Sequence, residues 1–159
     1  MIKKMTVGFI FNPSGDQVLL IKKNRPEWQA GKFNGIGGHL NHGEELDNDF
    51  KRCFIREVKE ECNLVLNYDS VKQIGRIFSV AGETKYKESV IVPIFVYKME
   101  TEAEMANVKQ LTDEPLMWLG TFELCMDRVI PNLMFLVPFA WYCLHQTLLK
   151  KGDIILEYD

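Results

Sequence analysis

Apolar residues gather first in two short β-rich runs, Met5–Phe11 and Gln17–Lys22, separated by Asn12-Pro13-Ser14-Gly15-Asp16. Such runs with Pro, Ser and Gly between them predict a β-hairpin. A loop with Pro26 and Gly31 leads to Gly35-Ile36-Gly37-Gly38, where glycine density predicts backbone passing close to another group. The period then changes. Phe54, Ile55, Val58 and Cys62 recur at helical spacing, so a helix is expected from a cap at Asp47 or Asn48 to about Cys62, stopped by Asn63. Val71–Val80 and Ser89–Tyr97 predict two further strands around a turn at Ala81-Gly82-Glu83, and Leu116–Leu119 predicts a short one. A last apolar run predicts a helix from Pro131-Asn132 to about Lys150, begun or kinked at Pro138. Strands, helix, strands, helix fit a mixed α/β sandwich better than a bundle or a doubly wound parallel sheet.

Composition narrows the class. The 159 residues show no repeat, low-complexity tract or linker, so a single domain over 1–159 is expected. With 47% hydrophobic and 26% charged residues the chain can bury a core. A net charge of -3 argues against a nucleic-acid polymer as partner, because such binders carry a basic footprint, but leaves room for a single nucleotide. Cys53, Cys62, Cys125 and Cys143 have neither CxxC nor disulfide-framework spacing, so reduced thiols and a cytoplasmic location are expected. The first apolar run breaks at Asn12-Pro13, too early for a secretory segment, and Val129–Leu144 is short and carries two prolines. No membrane partner is expected.

The chemistry concentrates in Arg56-Glu57-Val58-Lys59-Glu60-Glu61. On a helix Glu57 lies three residues from Glu60 and four from Glu61, so the three carboxylates share a face beside the apolar one. Repelled carboxylates shielded from water call for a cation, and hard oxygen donors suit Mg²⁺ or Mn²⁺. A solvated helix with scattered Glu/Lys pairs is the competing reading of the hexapeptide alone.

The upstream context favours the first. Gly38, five residues, Glu44, then Arg56-Glu57-Val58-Lys59-Glu60-Glu61 and Leu64 resemble the Nudix hydrolase box, G-x5-E-x7-R-E-U-x-E-E-x-G-U with U aliphatic. Two features depart from it. The box's late Gly is Asn63, a tolerable exchange at a left-handed helix end. Eleven residues, Glu45–Ile55, replace seven, so either the helix gains a turn at its start or the loop before it grows. Lys32-Phe33-Asn34-Gly35-Ile36-Gly37-Gly38 is similar to the lead-in of MutT-type members that act on oxidised purine nucleotides. Asp113-Glu114-Pro115-Leu116-Met117-Trp118-Leu119 and Pro131-Asn132-Leu133 resemble later family segments.

The resemblance implies a Nudix-type α/β/α sandwich with a mixed sheet between the box helix and the Pro131–Lys150 helix. It implies Glu57, Glu60 and Glu61 as ligands of Mg²⁺ (or Mn²⁺), completed by the Gly37 or Gly38 carbonyl. Glu60 or Glu114 would be the general base, with Asp113 also open, and Arg56 would orient a catalytic glutamate. Asn34 matches an asparagine that contacts the base, and Asn132 stands where oxidised-purine enzymes carry Asp. Lys22, Lys23 and Arg25 follow the second strand and either meet phosphates or form a solvated strand end. Trp118 either faces the base or joins the core. Met134, Phe135, Val137 and Trp141 form an apolar stripe belonging to the core or to a dimer face, so the chain is a monomer or a homodimer. The implied reaction is hydrolysis of a (deoxy)nucleoside triphosphate, 8-oxo-dGTP among the candidates, to monophosphate and pyrophosphate. Ser79, Val80, Ala81 and Gly82 stand where ADP-ribose enzymes often carry Pro, which favours the triphosphate class. The alternatives are another nucleoside diphosphate derivative such as ADP-ribose, or a catalytically silent nucleotide-binding module.

Overall fold

A computed structural model describes residues 2–79 and 88–146, and the backbone of 154–157. Eight strands form one mixed sheet: β1 (Ile2–Lys4), β2 (Val7–Phe11), β3 (Gln17–Lys22), β4 (Phe33–Asn34), β5 (Lys72–Ser79), β6 (Ser89–Lys98), β7 (Leu116–Gly120) and β8 (Ile154–Glu157). Its order is β4-β3-β2-β6-β5-β8, with β7 paired to β3 and β1 to β6. Leu19 is flanked by Ile10 of β2 and by Trp118 of β7, so β7 lies on the far side of β3 from β2. Among the described residues, four α-helices accompany the sheet: α1 (His42–Asp47), α2 (Phe50–Cys62), α3 (Glu102–Ala106) and α4 (Leu133–His145).

The central strands are buried on both faces, and their alternation divides the core in two. Phe9, Phe11, Val18, Leu20, Ile94 and Val96 turn to one side, where Leu133, Leu136, Val137 and Ala140 of α4 cover them. Ile10, Leu19, Ile21, Phe95 and Tyr97 turn to the other and pack on Phe54, Val58 and Cys62 of α2. A period of two along each strand produces this partition, which makes the molecule the α/β/α sandwich expected. Phe54 stacks on Phe95 with ring centroids 5.5 Å apart and fixes α2 on the sheet.

The hairpin and the strands at 72–79, 89–98 and 116–120 fall where the apolar runs place them. The helix start does not. α2 is capped by Asp49, whose side chain accepts from the Arg52 N–H, and not by Asp47 or Asn48. Those two residues belong to α1 and its end, with Asn48 left-handed at φ 52°. The surplus of four residues therefore enlarges the connection and leaves α2 unlengthened. Asn41 caps α1 in a reciprocal box: its side chain accepts from the Glu44 N–H, and the Glu44 side chain accepts from the Asn41 N–H. Asn41-His42-Gly43-Glu44 was the available signal for this helix. α2 ends as expected at Asn63, left-handed at φ 60°.

α4 ends at His145, with Gln146 extended, and Leu144 is its last residue packed on the sheet-side core. Pro138 lies inside α4 on the side away from the sheet, where its missing N–H falls on the outer face. The turn expected at Ala81-Gly82-Glu83 lies outside the described residues, as do Val80 and the stretch from Thr147 to Lys150. β8, parallel to β5, had no counterpart in the expected elements.

Candidate active site

The glycine turn after β4 packs on α2. The Thr6 N–H donates to the Gly38 carbonyl at 2.8 Å, and the Gly8 N–H to the Ile36 carbonyl at 2.8 Å, stitching the turn to the edge of β2. Gly37 sits at φ 151°, where a Cβ would strike the Thr6 carbonyl oxygen. At Gly38 a Cβ would lie 2.5 Å from Glu57 Oε1, so the side-chain-free backbone is what admits this carboxylate. Burial raises the Glu57 pKa, against the opposing charge and hydrogen bond of Arg56.

Glu61, one turn further along α2, is the more isolated acid. Its Oε2 is buried and has no hydrogen-bond partner. Burial pushes its pKa up to about 7, the Lys23 charge opposes the rise, Glu57 and Glu114 add to it, and a Gly37 backbone hydrogen bond lowers it. Lys23 and Glu114 stand alongside. The Lys23 ammonium reaches the Glu114 carboxylate, and the Asn24 N–H donates to Glu114 Oε1 at 2.7 Å. Glu57, Glu61, Glu114, Lys23 and the glycine turn thus form one electrostatically linked group.

Arg56 ties this group to α1. Its Nε donates to Glu44 Oε1 at 2.8 Å and its Nη2 to Glu44 Oε2 at 3.1 Å, a two-pronged pair with a carboxylate only 4% exposed. Nη1 lies 2.9 Å from Glu57 Oε1 and 2.8 Å from Glu60 Oε2, and Nη2 donates to the His39 carbonyl at 2.9 Å. One guanidinium therefore holds three glutamates and the loop. Burial works against ionisation of Glu44, yet Arg56 and the Asn41 N–H hold its carboxyl below the usual range. Glu60 stands at the rim, its side chain 56% exposed. Among the described residues, no three His, Cys, Asp or Glu side chains gather in metal-binding geometry.

The expected substrate residues take separate places. The Asn34 amide donates to Gln29 Oε1 at 3.1 Å, and its oxygen accepts from the Gly35 N–H at 2.7 Å. This leaves one amide hydrogen and one lone pair for a ligand. Phe33 donates to the Arg128 carbonyl and accepts from the Ile130 N–H, which sets β4 beside the start of α4. Asn132 sits at that start without capping it, and its buried Oδ1 has no partner. Lys22 is half-buried beside Phe33 in the sheet register. Trp118 lies on the α2 side, packed partly buried against that core. A cavity of about 430 Å³ runs beside it, lined by Leu19, Met105, Val108, Gln110, Leu116, Met117 and Trp118.

Sequence reasoning grouped Glu57, Glu60 and Glu61 with the glycine turn; Glu57 and Glu61 lie beside that turn and Glu60 stands apart at the rim. That reasoning did not foresee that Glu44 would be the buried partner of Arg56, or that Lys23 and Asn24 would clasp Glu114. The Arg56 pairing was open to inference only once the surplus residues were known to fold into α1.

Comparison with known proteins bears on this arrangement. The NUDIX domain family matches residues 3–125. No curated protein matches the chain. Among solved structures, the NUDIX domain of Shewanella oneidensis NrtR, complexed with ADP ribose, superposes with a TM-score of 0.64 at 15% identity, covering 89% of this chain and 87% of that one. MutT from Bacillus halodurans gives 0.64 at 17% identity over 98% and 90% of the two chains. A Caenorhabditis elegans Ap4A hydrolase gives 0.63 at 17% identity over 89% and 97%. These likenesses share the fold, and two of them name different nucleotides, ADP ribose and Ap4A, so the substrate is not determined by them. The box on α2, its glycine turn and the family match over residues 3–125 together make this chain a member of the Nudix family, a pyrophosphohydrolase.

Proposed function

We propose that this chain is a Mg²⁺-dependent (Mn²⁺ being the alternative ion) pyrophosphohydrolase of (deoxy)nucleoside triphosphates, releasing monophosphate and pyrophosphate. The observation that carries the reading is the pair Glu57 and Glu61. Both are shielded from water against Gly37–Gly38, and one Glu61 oxygen has no partner. A buried carboxylate oxygen without a donor is a costly arrangement that a cation would relieve. The donor set of hard oxygens fits a divalent ion whose remaining positions go to water and phosphate. Glu57, Glu61 and the Gly37 or Gly38 carbonyl would hold it, with Glu60 entering from the rim. When bound, the ion supplies charge neutralisation at the phosphates and lowers the pKa of water.

The chain's own groups do the rest. Arg56 holds Glu57 and Glu60 in place through its fixed fork. Lys23 joins Arg56 as a cation at the site, and we assign it to phosphate; Lys22, one position earlier in β3, shares the opposite face of the sheet with Phe33. Two carboxylates are candidates to accept the proton of the attacking water. Glu60 is open to solvent, whereas Glu114 is clasped by Lys23 and the Asn24 N–H. The variants Glu60→Gln and Glu114→Gln separate them, because loss of the base removes the acidic limb of the pH–rate profile. We assign Asn34, the second residue of β4, and Asn132, at the start of α4, to the base. Trp118, on the α2 side, flanks the cavity and stands as a second surface for a ring. The four free cysteines suit a reducing compartment, and we place the protein in the cytoplasm as a single domain.

A panel of nucleotides with Mg²⁺, following pyrophosphate and phosphate separately, tests the reading; release of monophosphate from ADP-ribose alone would favour the alternative class. An amide at position 132 has no exchangeable acid proton to offer a modified purine, so several triphosphates should be accepted. Asn34→Ala should weaken kcat/KM by about 1–3 kcal/mol or flatten base preference, as an unpaired buried polar group costs. A thousandfold preference for 8-oxo-dGTP over dGTP, dATP and dCTP would refute the broad pocket.

A further inference from the structure

The apolar stripe expected along the last helix is split by the structure. Val137 is buried with Leu133, Leu136 and Ala140, whereas Met134 is 39%, Phe135 54% and Tyr142 48% exposed. The segment Leu133–His145 contains no Asp, Glu, Lys or Arg. A helix apolar on all sides normally has neighbours on all sides. On the outer side, Phe135, Pro138, Phe139 and Tyr142 follow the i, i+3, i+4, i+7 spacing of a helix-packing seam. Phe135 and Phe139 are already stacked, with centroids 5.8 Å apart and planes 5° apart. Phe122, 65% exposed, widens the patch through its edge contact with Trp141 at 5.2 Å.

We propose that this face pairs with the same face of a second copy, two α4 helices crossing antiparallel about a two-fold axis. The seam's spacing is compatible with this occupant. Its midpoint falls between Pro138 and Phe139, so antiparallel pairing sets Phe135 against Tyr142 of the other copy, and Pro138 against Phe139. An isologous contact requires such self-complementarity. Absence of charge along the helix offers nothing to an acidic or basic peptide, and nothing to anionic headgroups. The exposed parts of Phe122, Met134, Phe135 and Tyr142 amount to about 400 Å². That is the size of the largest apolar patch on a typical soluble monomer, a patch that is often functional. With partly exposed Pro138, Phe139 and Trp141 it approaches the roughly 600 Å² per partner at the low end of specific interfaces. The dimer is therefore a concentration-dependent one.

Sedimentation velocity from low to high micromolar concentration tests this. Wild type should shift from monomer to dimer. Phe135→Glu and Tyr142→Lys alter exposed side chains and should each remain monomeric with circular dichroism and melting unchanged. Because the pairing sets 135 against 142, an equimolar mixture of the two variants should dimerise again, and so should the double variant alone. Wild type that stays monomeric throughout would overturn the proposal, including the case in which it binds neutral lipid vesicles instead. Single variants that dimerise like wild type, or a mixture that fails to recover, would overturn it too.

Discussion

Glu57→Gln and Glu61→Gln should each lower kcat on the order of a hundredfold or more, because each removes a charged oxygen from the group proposed to hold the metal. The two substitutions should not unfold the protein. Glu61 in particular is ionised at a cost in the metal-free state. Its folded pKa of about 7 lies above the ordinary 4.5. An acid whose folded pKa is raised binds its proton more tightly when folded, so stability falls as pH rises from 4.5 towards and beyond 7. Glu61→Gln should therefore melt higher than wild type at pH 8 in chelator, and the advantage should disappear near pH 4.5. Steady-state turnover with Mg²⁺ and melting across that range in chelator read the two effects separately. Turnover within threefold of wild type in both variants would remove Glu57 and Glu61 from the site.

Arg56→Ala should be the most destabilising substitution in the site. It leaves Glu44, 4% exposed, without its two guanidinium hydrogen bonds. Stripping one partner from a buried pair costs about 3–5 kcal/mol. For a chain of this size that corresponds to a fall in Tm on the order of 10 °C. Glu44 also makes part of wild-type stability pH-dependent. Its folded pKa is held below 4.5, so its contribution is present above that value and is lost as pH falls through it. The acid arm of the stability profile should flatten in Arg56→Ala. Glu44→Gln keeps the capping shape while losing the charge, and should fall between the two. Chemical denaturation at several pH values measures all three, and an Arg56→Ala protein as stable as wild type would show that the pair is mechanically idle.

Much of this was legible because local patterns and packing agree. Val18–Leu20 and Phe9–Phe11 alternate between two cores, and their unbroken apolar character marks strands covered on both sides. REVKEE needs only the helical period to gather its carboxylates, which is why the neighbourhood of Glu57 and Glu61 was legible. Long-range pairings were not legible. Lys23 meets Glu114 across 91 positions of sequence, and no local signal encodes that contact. β8 depends on an open edge at β5, which four residues of sequence do not announce. Asp47 and Asn48 are good capping types, and they lost to Asp49 because Asn41 and Glu44 had already started a separate helix. Glu60 shows the limit of periodicity: it shares the carboxylate face, yet Arg56 draws its side chain to the rim.

Paired acids on α2, with a divalent ion, should split a nucleoside triphosphate to monophosphate and pyrophosphate. The most direct measurement is pyrophosphate release from a nucleoside triphosphate by the full chain, with Mg²⁺, with Mg²⁺ plus excess chelator, and for Glu61→Gln with Mg²⁺. Steady release is expected in the first case and its loss in the other two, with the variant still folded by circular dichroism. Undiminished pyrophosphate release in chelator, or from Glu61→Gln, would contradict it.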